Sequence, residues 1–150
     1  MPYPNASDAG VLAKQHIWAA TTSAAKNQAF NCTNGDVFTW RAFWEAFAEV
    51  FDVEVAGPGG DGSGDLGFAE KMKGKGGVWE EIVRENGLVE TKLEEITCFD
   101  AMSSVLRFGF QHVCCMNKSR ESGFLVHVDT LKSLRKWVER YREMNVLPKK

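Results

Sequence analysis

The sequence predicts a predominantly helical α/β fold, and three observations lead to that prediction. Apolar and polar residues alternate around Phe30, which is typical of a short, half-buried strand. Residues 34–36, Asn-Gly-Asp, follow as a turn signal, because glycine adopts positive φ freely and Asn and Asp bond their own backbone. From Trp40 to Phe51 the apolar residues recur at helical spacing. Strand, turn and amphipathic helix are half of a βαβ unit, so a sheet with one or two short parallel strands is expected.

The remaining elements are predicted from capping residues and apolar spacing. Ser7 can cap a first helix through its hydroxyl oxygen, and Asp129 or Thr130 can cap the last one, which Pro148 closes. Gly87 is a typical helix stop. The predicted elements are helices over 7–21, 78–86, 97–110 and 130–147, a second strand at 53–55 parallel to the first, and an extended run at 124–128.

The stretch from Gly57 to Gly77 holds nine of the fourteen glycines and is predicted to be a flexible surface loop. Residues 62–67 match the dinucleotide pattern GxGxxG letter for letter. That pattern binds a pyrophosphate only when a buried strand precedes it and a sustained helix follows. Glycines and Pro58 precede it here, and three more glycines interrupt the segment that follows. We therefore do not predict nucleotide binding at this loop.

Composition and charge exclude several classes of protein. At 150 residues the chain is long enough for one domain with a core, and a formal net charge of −2 gives no reason to expect a nucleic-acid partner. No segment approaches 18 consecutive apolar residues, so no membrane span is predicted. The start at Met1 lacks the basic and apolar regions of a signal peptide, and a cytoplasmic protein is expected.

Four cysteines, at positions 32, 98, 114 and 115, show neither metal-site spacing nor a disulfide framework. No metal is therefore expected, and the thiols are predicted to be reduced. Cys114 and Cys115 are adjacent and could be reactive, although buried, inert thiols are the favoured interpretation.

Four separated stretches of the chain carry a family resemblance. They are NCTNGDVFTW at 31–40, VWEEIVRENGL at 78–88, TKLEEI at 91–96 and MNKSRESGF at 116–124. In this order they resemble the C-terminal part of the plant progesterone 5β-reductase/iridoid synthase family of extended short-chain dehydrogenases/reductases. The resemblance runs from about Ser7 to Pro148. It implies that residues 1–150 are a single substrate-side segment of a reductase fold, without the N-terminal Rossmann half.

The resemblance also implies a chemistry. In the full-length family NADPH is bound by the Rossmann half, hydride is transferred to the β-carbon of a small apolar enone, and a Tyr and a Lys stabilise the enolate oxygen. The tyrosines of this chain, Tyr3 and Tyr141, do not stand in the setting of the family's catalytic Tyr. The sequence therefore assigns no catalytic and no cofactor-binding residue, and this chain alone is not expected to bind NADPH.

One part of the site does carry over from the resemblance. The segment after TKLEEI resembles the helix that lines the family's apolar substrate pocket, which implies substrate contacts for Met102 and Leu106, with Phe99 as a further candidate. An aromatic residue often stands in the family where Met102 falls. From the residues alone, this apolar stripe is either core or the wall of a ligand pocket.

Two functions follow as hypotheses. In the first, the chain is the substrate-covering part of an NADPH-dependent enone reductase and is inactive alone. In the second, it is a stand-alone, non-catalytic binding or regulatory module that pairs with full-length relatives or holds a small apolar ligand. A small enzyme of unrelated mechanism has no nucleophile–base pair, metal cluster or phosphate loop to support it. The chain by itself is expected to be marginally stable, because uncovered apolar faces cost free energy.

Overall fold

The computed structural model describes residues 3–55, 67–106 and 113–149, and their regular structure is helical. The described helices are α1 (Ala9–Thr21), a short 3₁₀ helix (Ser23–Ala25), α2 (Trp40–Phe51), α3 (Phe68–Met72), α4 (Gly76–Asn86), α5 (Leu93–Ile96), α6 (Phe99–Leu106), α7 (Asn117–Glu121) and α8 (Thr130–Glu143). The chain divides into two compact units. The first unit comprises residues 1–50 and 110–136, and the second comprises 51–109 and 137–150.

The predicted strands at Phe30 and at 53–55 are not found, since the described ranges contain no β-strand. A strand requires a ladder of backbone partners. Around Phe30 the carbonyls bond to side chains instead: the Asn31 oxygen accepts from Gln15 Nε2 at 2.9 Å, and the Cys32 oxygen accepts from Ser7 Oγ at 2.7 Å. Residues 53–55 are exposed and carry no regular structure. The mostly helical part of the prediction is confirmed, and its strands are not.

The helix starts are set by side-chain caps, one of which differs from the prediction. Asp8 caps α1, because its Oδ1 accepts from the backbone N–H groups of Gly10 and Val11 at 2.7 and 3.1 Å. Ser7, the predicted cap, donates to the Cys32 carbonyl instead. Asp8 directly precedes the first residue of α1, so its carboxylate accepts from the N–H groups that Ser7 was expected to satisfy. At α8 the Asp129 carboxylate accepts from the Lys132 N–H at 2.7 Å, as predicted for this position.

The core of the first unit joins residues that are far apart in sequence. Val11, Met116 and Phe124 are buried together, at 1%, 3% and 3% exposure. The Trp18 ring packs on two sides, 5.0 Å from the centroid of Phe30 and 5.3 Å from that of Phe124. Burial of aromatic and aliphatic side chains of this size is the main stabilising contribution of such a cluster.

Aromatic residues at the start of α2 form a second apolar cluster in the first unit. Phe38 is buried, and its ring lies 5.2 Å from that of Phe43. The chain of ring contacts continues along the helix from Trp40 through Phe43 to Phe47, with centroids 5.6 and 5.1 Å apart. The predicted amphipathic helix from Trp40 to Phe51 is confirmed with the same bounds.

The second unit has a smaller core. Leu93 and Val138 are its buried apolar residues among those described. The Trp79 indole N–H donates to the Thr91 carbonyl at 3.0 Å, which fixes α4 against the segment leading into α5. Gly87 ends α4 at a φ of +59°, as the sequence predicts.

Two other predictions for the second unit fare differently. Thr97 is not the predicted N-cap but the C-cap of α5, and its hydroxyl donates back to the Leu93 carbonyl at 2.9 Å. The next helix, α6, begins at Phe99. Of the predicted glycine-rich loop, residues 57–66 lie outside the described residues, as do 107–110 of the predicted 97–110 helix. Gly67 directly precedes α3. Among the described helices, none is long and apolar enough to cross a membrane.

Candidate functional site

Helix α6 carries the three predicted substrate-contacting residues on one stripe. Phe99, Met102 and Leu106 are spaced i, i+3 and i+7, so successive side chains point in nearly the same direction around the helix. Two interactions stabilise the N-terminus of this helix. The Met102 N–H donates to the Cys98 carbonyl at 3.1 Å, and Asp100 places a negative charge in the first turn. Within the second unit, α3 packs against α6.

The exposure of this stripe bears on whether it is core or wall. Phe99, Met102 and Leu106 are each half-buried, and no residue of α6 is fully buried. Val105, three residues after Met102 and next to it on the helix surface, is 42% exposed. A core stripe would be closed off from solvent, whereas a half-buried apolar stripe keeps surface that a ligand can cover. The structure places the three half-buried side chains on one stripe of α6, and their role as substrate contacts stays a prediction.

A network of polar side chains, which was not predicted from the sequence, surrounds the turn at residues 34–36. Asn34 is 2% exposed; its Oδ1 accepts from the Asp8 N–H at 2.6 Å, and its Nδ2 donates to Thr130 Oγ1 at 2.9 Å. Asp36 accepts from the Thr130 N–H at 2.8 Å and from the Thr130 hydroxyl at 2.6 Å. Ser133 donates to the second carboxylate oxygen of Asp8 at 2.5 Å. This network joins the N-termini of α1 and α8 to one turn.

An open cleft of about 280 Å³ lies beside this turn, within the first unit. Its lining comes from the resemblance stretches at 31–40 and 116–124, from the adjoining residues 113–115 and from Asn5. The lining residues are Asn5, Thr33, Gly35, Asp36, Val37, Val113, Cys114, Cys115, Met116 and Arg120. Gly35 has a φ of +95°, and a Cβ there would come within 3.0 Å of the Arg120 guanidinium. Glycine is therefore favoured here, because this φ lies in a region that residues with a Cβ rarely adopt.

The cysteines of the cleft are more accessible than predicted. Cys114 is half-buried and Cys115 is exposed, so the expectation of two buried thiols is wrong for Cys115. The reason is local: residues 113–116 form no regular element, and only Met116 turns into the core, where its sulfur accepts from the Thr33 N–H at 3.2 Å. The signal that could have identified the cleft was the presence of two resemblance stretches without an assigned role.

The described residues do not fit a dinucleotide. A pyrophosphate is bound where a helix N-terminus directly follows a buried strand, and no strand occurs in ranges 3–55, 67–106 and 113–149. The GxGxxG pattern at 62–67 lies outside the described residues except for Gly67. Within the described part of the chain, no group of three or more His, Cys, Asp or Glu side chains could hold a metal ion.

Comparison with curated proteins finds plant relatives. The chain is 42% identical over 146 residues to (S)-8-oxocitronellyl enol synthase CYC1 of Camptotheca acuminata. It is 42% identical over 147 residues to 3-oxo-Delta(4,5)-steroid 5-beta-reductase of Arabidopsis thaliana. It is 40% identical over 146 residues to the (S)-8-oxocitronellyl enol synthase of Catharanthus roseus. No family model matches the chain.

These relatives match nearly all of this chain, and the match takes up a minor part of each relative. Each alignment covers 97% of this chain, and the chain spans 37% of the length of each relative. The resemblance inferred from four short stretches is thereby confirmed across nearly the whole sequence. The chain belongs to the plant progesterone 5β-reductase/iridoid synthase-like family and corresponds to the C-terminal part of its members.

Proposed function

We propose that this chain forms the substrate-covering side of an NADPH-dependent enone reductase with an extended short-chain dehydrogenase/reductase fold. The observation that carries the proposal is the identity of 40–42% over 97% of the chain to relatives named as a steroid 5-beta-reductase and as enol synthases. Hydride addition to the β-carbon of an enone yields an enolate. One reaction type therefore accounts for both names, the reductase and the enol synthase. The mostly helical character of the described residues is consistent with the C-terminal part of such a fold.

In this proposal α6 supplies the apolar wall of the substrate pocket. Phe99, Met102 and Leu106 would cover the hydrocarbon part of the enone, since burial of apolar surface contributes about 25 cal/mol per Å². Met102 is unbranched and polarisable, so it adapts to ligands of different shape better than a rigid ring would. We assign the NADPH site and the Tyr and Lys that stabilise the enolate oxygen to the part of the relatives that this chain does not cover. The chain alone should therefore be inactive.

A chimera tests this function. The matching C-terminal 37% of the Arabidopsis steroid reductase is replaced by this chain, and NADPH oxidation is followed with a 3-oxo-Δ4 steroid and with a small linear enal. We expect the chimera to reduce at least one of these enones and the isolated chain to reduce neither. A folded chimera that binds NADPH yet reduces no enone would contradict the proposed function.

Substitution at α6 tests the wall. Met102→Ala removes buried apolar surface from the substrate contact, so kcat/KM of the chimera should fall roughly tenfold, mainly through KM. Ile17→Ala is the matched control, because Ile17 is 66% exposed on α1 and lies in the first unit. If both variants keep the kinetics of the parent chimera, Met102 does not line the pocket.

The alternative function, a non-catalytic module, makes a different prediction for the isolated chain. Such a module would bind a small apolar enone saturably without consuming NADPH, or would co-purify with a full-length relative. Isothermal titration of the isolated chain and mixing with a tagged relative distinguish these outcomes from the reductase proposal, in which the isolated chain does neither.

A further inference from the structure

The cleft of the first unit carries two adjacent thiols that the reductase proposal does not use. Cys114 and Cys115 both line it, in a segment without regular structure. The other two cysteines have different surroundings: Cys98 is exposed next to α6 in the second unit, and Cys32 packs against the core of the first. Cys114 and Cys115 thus place two thiol-bearing residues side by side in the lining of one cleft.

We propose that Cys114 and Cys115 form a redox-active vicinal dithiol whose reaction partner is an anionic disulfide of the glutathione class. The more exposed Cys115, as thiolate, attacks one sulfur of the disulfide, which forms a mixed disulfide and releases one glutathione thiolate. The Cys114 thiolate then attacks the Cys115 sulfur and releases the second glutathione. The chain gives up two protons and two electrons, and the incoming disulfide gains them as two thiols.

The cleft contains one cation that an anionic partner can contact. The Arg120 guanidinium lines it beside Gly35, and oxidised glutathione carries a net negative charge that such a cation attracts. Asp36 also lines the cleft, but both of its carboxylate oxygens accept hydrogen bonds from Thr130. Asp36 keeps its negative charge, so the proposed recognition rests on direct contact between the Arg120 guanidinium and an incoming carboxylate.

A disulfide between adjacent residues would be easily reversed and would disturb hydrogen bonds next to the core. Consecutive Cα atoms lie about 3.8 Å apart, below the usual disulfide range of roughly 4.4–6.8 Å, so the bond is strained and easily reduced. Forming this disulfide rotates the peptide bond between Cys114 and Cys115. The carbonyl of that peptide, on Cys114, accepts a hydrogen bond from Asn5 Nδ2 at 2.9 Å. The next carbonyl, on Cys115, accepts from Asn31 at 3.2 Å, and buried Met116 follows. Oxidation should therefore lower the Tm.

The test is thiol mapping of the native chain after incubation with oxidised glutathione. We expect the peptide containing residues 114 and 115 to lose both thiols, to retain no glutathione and to recover both thiols with dithiothreitol. Cys114→Ser should stop at a stable mixed disulfide on Cys115. Arg120→Gln should slow the reaction with oxidised glutathione roughly three- to tenfold, while the reaction with cationic cystamine is not slowed.

Two internal controls accompany this test. Cys98→Ser should leave the result unchanged. Burial raises the pKa of the Cys32 thiol, so in folded chain Cys32 should stay unmodified at neutral pH and report that the sample is native. The same mapping on the enone-reductase chimera, whose NADPH binding reports its folding, gives the answer independently of the stability of the isolated chain.

Specific outcomes would overturn the proposal. Two free thiols at 114 and 115 in a sample with protected Cys32 would exclude a redox-active dithiol. A stable glutathione adduct on Cys115 with Cys114 still free would reduce it to a single reactive thiol. Equal slowing by Arg120→Gln with both disulfides would exclude the proposed charge recognition. None of these outcomes depends on whether the chimera reduces an enone.

Discussion

Asn34 joins four other residues of the first unit through hydrogen bonds of its side chain and backbone. Its side chain satisfies Asp8 and Thr130, its N–H donates to the Ala6 carbonyl at 2.7 Å, and its carbonyl accepts from Val128 at 3.0 Å. Asn34→Ala should lower the free energy of unfolding by roughly 2–3 kcal/mol, because it leaves buried polar partners unsatisfied. Urea denaturation measures this. The exposed Asn117→Ala is the control, expected to change stability by less than about 0.5 kcal/mol; equal losses in both variants would show that the Asn34 contacts contribute little.

Helix α4 offers a matched pair of glycines at the scale of one element. Gly77 lies in the first turn of the helix, and a Cβ added there would meet no atom within 4 Å, whereas Gly87 ends the helix at a φ of +59°. Gly77→Ala should stabilise by roughly 0.5–1 kcal/mol through helix propensity, and Gly87→Ala should destabilise by about 1 kcal/mol because an L-residue is strained there. Thermal unfolding monitored by circular dichroism compares them, and shifts of the same sign would contradict this interpretation of α4.

At the scale of the whole molecule, the two units differ in how much apolar surface they bury. Seven of the nine buried apolar residues among those described belong to the first unit and two to the second. The second unit meanwhile exposes Val53, Val78 and Val89, at 61%, 50% and 51%. Since burial supplies most of the stabilising free energy, amides of α4 should exchange hydrogen faster than those of α1 in the isolated chain. Uniform protection together with one sharp, reversible thermal transition would contradict this expectation.

How far the sequence predicted this molecule depends on whether a feature is local or distant. The bounds of α2 and the end of α4 were predictable, because apolar period and a stop glycine are properties of neighbouring residues. The prediction of a strand at Phe30 was wrong, because a strand depends on a backbone partner that no local pattern reveals. The proposed substrate contacts on α6 came from the family resemblance. The cleft was missed because its walls lie some eighty residues apart in the chain.

The core of the first unit joins residues that are far apart in the chain, and this has a consequence for biosynthesis. The core of the first unit unites Val11 with Met116 and Phe124, so most of the chain must leave the ribosome before that core can close. Until then α1 and the aromatic rings of α2 emerge without their cover, a situation in which nascent chains recruit chaperones or aggregate. Contacts between residues so far apart also slow folding, because a long loop must be ordered before they form. Production of this protein should therefore depend on chaperone capacity and on the rate of translation more than a helical chain of its size would suggest.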